Sequence, residues 1–200
     1  MRDAGRERAV STLRPESPVF GVERGRDAFA RGAWREAFVV FSAADRAGTL
    51  AGSDFARLAA AAQLTGQFEL GIRAWERAHQ AALDVGDVSA AAQAAFWISF
   101  GLIWRRDVAR GTGWIVRAVR LLDECGADCV ERGYLRFSEA MRHVVEGDVD
   151  AAERAFAESA AMAARFGDRN LMALARHAQG RGLIYRGEVA RGAALLDETL

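Results

Sequence analysis

The sequence predicts an all-α protein, and three observations carry that prediction. Composition is the first: alanine, leucine and arginine abound, threonine, isoleucine and tyrosine are scarce, and the 200 residues include only two prolines, Pro15 and Pro18. Alanine and straight-chain residues lose least entropy in a helix, and proline disrupts one most. The second is a helical pattern that recurs five times. The third is a set of Gly-Asp junctions between the copies, each supplying a helix stop and then a residue suited to capping the next helix.

Taken in order, residues 1–21 are expected to form a flexible arm, since Pro15 and Pro18 discourage helix. Residues 22–200 are expected to form one repeat domain. Its copies are RGAWREAFVVFSAA (31–44), TGQFELGIRAWERA (65–78), RRDVARGTGWIVRA (105–118), EGDVDAAERAFAES (146–159) and RGEVARGAALLDET (186–199). Each has a turn residue (Gly32, Gly66, Arg106, Gly147, Gly187), then an apolar residue (Trp34, Phe68, Val108, Val149, Val189). A small residue follows (Ala37, Gly71, Gly111, Ala152, Gly192), then a large one (Phe41, Trp75, Ile115, Phe156, Leu196). Seven positions before each turn residue stands another small residue: Gly25, Ala59, Ser99, Ala140 and Gly180. Small residues on both sides of a turn let two helices approach closely, so each copy predicts a helix hairpin. Gly86-Asp87, Gly126-Ala-Asp128 and Gly167-Asp168 should separate successive hairpins.

These spacings resemble the tetratricopeptide repeat, over about residues 22 to 200. The resemblance implies a right-handed α-solenoid of about five antiparallel helix hairpins, the last incomplete, whose first helices line a concave groove. The copies lie 34, 40, 41 and 40 residues apart. A period longer than the family's standard unit implies helices roughly a turn or more longer. The segments FARGAWREAFVVFSAADRAG, AFWISFGLIWRRDVARGTGWIVRAVRLLDE, DCVERGYL and ALARHAQGRGLIYRGEVARGAALLDE also resemble the helical-repeat region of bacterial LuxR-family transcriptional regulators. In that family the repeats commonly precede a DNA-binding helix-turn-helix. The resemblance implies a regulatory part whose DNA-binding domain lies beyond Leu200, the chain being truncated there. A free-standing adaptor for peptide or protein partners is the alternative.

Charge excludes several functions. All 27 basic residues are arginine and balance 27 acidic ones, so this segment is not expected to grip a nucleic-acid backbone by itself. Without lysine there is no Walker lysine and no Schiff-base lysine. The charged start cannot be a secretory signal and no run is long enough to span a bilayer, so a cytoplasmic protein is expected.

No catalytic constellation emerges, and neither an enzyme nor a cofactor is expected. Gly180 and Gly182 suggest a phosphate loop, but LMALARHA before them reads as helix, without the strand that a dinucleotide fingerprint requires. The same holds for Gly111 and Gly113. Cys125 and Cys129 are two thiols without a second ligand pair, which argues against zinc. His79, His143 and His177 fall on separate helices and read as solvated or groove-lining. Trp34 and Trp75 read as hairpin filling, and Trp114 adjoins such a position.

The groove that the tetratricopeptide resemblance implies would be lined by Phe96, Phe100 and Trp104 in hairpin 3. Tyr134, Phe137 and Met141 follow in hairpin 4, and His177, Arg181 and Tyr185 in hairpin 5. The near-regular helical spacing of each set puts its members on one helix face, whatever the family. Such a strip suits a protein or peptide partner, or a small-molecule effector. The same spacing equally fits a stripe of ordinary core.

Overall fold

The computed structural model describes residues 18–126 and 128–198. Ten α-helices and no strand occur among them: α1 (Pro18–Ala30), α2 (Trp34–Arg46), α3 (Asp54–Leu64), α4 (Phe68–Asp84) and α5 (Val88–Trp104) come first. They are followed by α6 (Val108–Glu124), α7 (Glu131–Glu146), α8 (Val149–Phe166), α9 (Arg169–Tyr185) and α10 (Val189–Asp197). Pro18 opens α1, where its missing N–H is one of those without an intrahelical partner. Residues 18–21 therefore belong to α1 and not to an arm; residues 1–17 of the expected arm lie outside the described residues. No helix of the described residues is long and apolar enough to cross a membrane.

All five expected turn residues adopt the left-handed conformation, with φ of 71° at Gly32, 80° at Gly66, 68° at Arg106, 84° at Gly147 and 87° at Gly187. Each is followed by the same closing bond. The next residue's N–H donates to a carbonyl five residues back: Ala33 to Ala28, Gln67 to Ala62, Asp107 to Leu102, Asp148 to His143 and Glu188 to Leu183, at 2.7–2.9 Å. This reverses the chain and satisfies a carbonyl that the helix end would otherwise leave open. The apolar residue of each copy then opens the second helix. Trp34 there is 36 % exposed, its ring edge-on to Phe29 at 5.1 Å, so it covers the turn and does not fill the hairpin.

The Gly-Asp junctions work at two of the three expected places. Asp87 accepts from the Ala90 N–H at 2.9 Å and Asp168 from the Leu171 N–H at 2.8 Å. Asp128 does not cap; it pairs with Arg165, and α7 starts after Val130 without a side-chain cap. Asp148 caps instead at the turn of hairpin 4, accepting from the Ala151 N–H at 3.0 Å.

The paired small residues meet. A Cβ on Gly111 would stand 3.1 Å from the Ser99 carbonyl oxygen, and one on Gly192 only 2.5 Å from that of Gly180. The large residues Phe41, Trp75, Ile115 and Phe156 are buried beside these contacts, and Leu196 is half-buried. Core residues form two clusters with α5 as their common wall. Ile98 and Leu102 belong to the cluster of Phe41, Leu58 and Trp75, while Phe96 and Ile103 belong to that of Ile115, Tyr134, Phe137 and Phe156. Consecutive helices pack on one another, and three first helices also pack on the next first helix: α1 on α3, α5 on α7 and α7 on α9. Between α5 and α7 the buried Ser99 hydroxyl donates to the Phe96 carbonyl at 2.8 Å, so the Ser138 hydroxyl donates to Ser99, also at 2.8 Å.

Candidate binding surface

The nine expected groove residues separate into two groups. Phe96, Tyr134, Phe137 and Met141 are core, between 0 % and 8 % exposed. The reason is the direct packing of α5 on α7, which turns this part of each strip toward the neighbouring helix. Phe96 touches the rings of Trp97, Phe100, Tyr134 and Phe137 at centroid distances of 4.8, 5.9, 4.9 and 6.3 Å. Tyr134 is further committed by its hydroxyl, which donates to Asp168 Oδ1 at 3.1 Å, the same oxygen that caps α9. Burial, and then the Asp168 charge, hold that phenol well above its ordinary pKa, so it stays a donor. These four residues present no surface to a partner.

The second group lies near the C-terminal ends of α5 and α9. Phe100 is half-buried and stacks on Trp104 at 6.3 Å. Trp104 is 56 % exposed and Tyr185 79 % exposed. Arg181 joins them: its guanidinium carbon lies 5.8 Å from the Trp104 ring centre and 5.8 Å from that of Tyr185, and Nη2 donates to the Tyr185 hydroxyl at 3.2 Å. Trp104 and Arg181 belong to helices two hairpins apart, brought together across α7. His177 is exposed one turn before Arg181.

One residue at the same repeat position went unmarked by the expected strip. Val145, half-buried at the end of α7, stands two residues before its turn residue, as Trp104 and Tyr185 do before theirs. Counting back from the turns reveals the row; counting along each helix for aromatic residues does not. Leu64, 60 % exposed, occupies the same position in hairpin 2.

The two helices that carry the cluster contain no carboxylate, whereas α7 between them has Glu131, Glu139 and Glu146. Helix α5 contains no charged residue, and α9 has three arginines and no carboxylate. Three other arginines that lie over a ring also hold an acid, Arg77 over Phe55 with Asp45, Arg105 over Phe68 with Glu69, and Arg165 over Phe166 with Asp128, whereas Arg117 lies over Trp114 with no carboxylate within ion-pair distance among the described residues. Arg181 has no carboxylate within ion-pair distance among the described residues. Arg26, at the same position relative to its turn, holds the buried Asp54 through two bonds of 3.0 and 2.7 Å.

The other sequence candidates are placed as follows. Gly180 and Gly182 lie inside α9, and the first is pressed against Leu196 and Gly192, so neither belongs to a phosphate loop. His79 is buried rather than solvated or groove-lining; its Nδ1–H donates to the Ala91 carbonyl at 2.8 Å and its ring stands edge-on to Trp114 at 5.1 Å. His143 Nε2 accepts from Arg142 Nη2 at 3.2 Å. Cys125 Sγ donates to the Leu122 carbonyl at 3.4 Å, and partial burial pushes the Cys129 thiol above its ordinary pKa. Two open cavities, of about 640 and 320 Å³, lie away from the ring–arginine cluster: one beside Gly167, Met172 and Arg176, the other beside Ile115, Val119 and Glu139. No family model and no curated protein matches the chain.

Proposed function

We propose that the chain is a non-catalytic interaction and sensing module. In this reading its hairpins stack as a right-handed, tetratricopeptide-like α-solenoid, and Phe100, Trp104, Arg181 and Tyr185 lie on the face that receives a partner. The packing of first helix on first helix at α1–α3, α5–α7 and α7–α9 supports the stacking. The observation that carries the binding role is the exposed contact of Arg181 with Trp104 and Tyr185. Large rigid rings with a fixed cation between them provide contact area at low entropic cost, which is the usual make-up of an interface anchor.

The regulatory part of a cytoplasmic LuxR-type transcription factor is the context in which such a module would act. A partner seated on α5 and α9 together would favour one angle between hairpins 3 and 5, and the shifted population would reposition a DNA-binding domain outside these residues. The test is an array of randomised short peptides probed with the whole chain and with Trp104→Ala. Saturable binding that Trp104→Ala weakens by about tenfold, with helicity unchanged by circular dichroism, is the expected result. Binding indifferent to that substitution ends the reading.

A further inference from the structure

We propose that the Trp104–Arg181–Tyr185 cluster recognises a side-chain carboxylate on an acidic peptide segment that also carries leucine or phenylalanine. The inference rests on the binding-surface reading above and names the chemistry of the partner. Arg181 is a cation between aromatic rings of two helices that contain no acid, and Glu146 of α7 between them is held by Arg142, so the cluster has a positive centre flanked by rings. Its counterpart Arg26 shows what that position takes when it is satisfied within the chain, a carboxylate held through two hydrogen bonds. Planar, permanently charged guanidinium matches a carboxylate through two parallel N–H donors, and ring stacking orients it for that contact. Rings on either side leave the apolar neighbours of that carboxylate a place to pack.

The shape of the surface favours a peptide over a small anion. Trp104 and Tyr185 stand largely open, and neither open cavity includes them. A small molecule gains affinity by burying most of its surface in a pocket, whereas a peptide can spread weak contacts over open rings such as Trp104 and Tyr185.

Three fluorescein-labelled synthetic peptides test this by anisotropy with the whole chain. Leucine and phenylalanine alternate with glutamate in one, with glutamine in the second and with lysine in the third. The glutamate peptide should bind about tenfold tighter than the others. Arg181→Gln should bring it down to the glutamine peptide, and Arg181→Glu should turn the preference to lysine. Arg117→Gln removes another ring-stacked arginine, 4.5 Å from the Trp114 ring centre, and should leave the preference intact. Equal binding of glutamate and glutamine peptides, or a glutamate preference that survives Arg181→Gln, overturns the inference. If all three bind alike and Trp104→Ala abolishes them together, the surface reading stands and the acidic partner falls. Saturable binding of benzoate without binding of the glutamate peptide also overturns it, in favour of a small anion. Circular dichroism on each variant separates these outcomes from loss of fold.

Discussion

Hairpins 3 and 5 share one register yet have different fates. In hairpin 3, Ser99 meets Gly111 and nine residues of α5 are buried; in hairpin 5, Gly180 meets Gly192 and only Leu171, Ala175 and Gly180 of α9 are buried. Ten residues before the turn, Phe96 is wholly buried and His177 is exposed. Five before it, a Cβ on Gly101 would stand 3.1 Å from Ile72, while one on Gly182 would meet nothing within 4 Å. The repeat positions shape a hairpin, but they do not decide what covers it. Helices on both sides of α5 bury its strip, and α9 keeps part of its strip open.

The contrast is sharpest for the pair Phe96 and His177. Phe96→Ala should lower stability by about 3–5 kcal/mol in urea denaturation, the cost of an emptied aromatic site. His177→Ala should change it by no more than about 0.5 kcal/mol. Similar losses at both sites would mean that α9 is as enclosed as α5.

Two glycines of hairpin 5 should respond with opposite signs. Gly192→Ala drives a methyl onto the Gly180 carbonyl and should cost about 1–3 kcal/mol, with faster amide exchange across α10. Gly182→Ala enters open space in mid-helix and should stabilise by up to about 1 kcal/mol. Destabilisation by both would show that the two helices of this hairpin touch along a different line.

The smallest effect belongs to the turns. Arg106 is the one non-glycine among the described residues with a positive φ, where Gly187 stands in hairpin 5. Left-handed backbone costs a side-chain-bearing residue about 1–2 kcal/mol, partly offset because glycine gains more freedom on unfolding. Arg106→Gly should therefore stabilise by roughly 0.5–1 kcal/mol in thermal denaturation, and a loss would mean that the Arg106 side chain contributes contacts of its own.

Much of the chain was legible in advance, for local reasons. Turn residues could be found because a left-handed backbone favours glycine, and aligning five copies picked out Arg106 among four glycines. Spacing also reported helix length: α2 and α3, with 13 and 11 residues, fill the short interval, and helices of 16–18 residues fill the long ones. The capping role of Asp128 was misread because the chain runs further before α7 begins, and Asp148 was passed over because it sits within a hairpin turn.

The candidate site was only half legible. A strip with helical spacing identified residues sharing a face and could not tell core from surface, so Phe96, Tyr134, Phe137 and Met141 entered beside Trp104, Arg181 and Tyr185. The repeat resemblance put Trp104 and Arg181 in one groove, but their direct contact had no local signature, since nothing in α5 or α9 alone refers to the other.

What the sequence determined by itself was the all-α class, the five turns, the close helix contacts and most of the caps. These depend on backbone conformation and on residues a few positions apart, so each stretch carries its own instructions. Tertiary structure alone decided which rings are open and which arginines hold an acid. Exposure and charge pairing depend on atoms supplied by helices far away in the chain, and only packing α5, α7 and α9 together sets Trp104 beside Arg181.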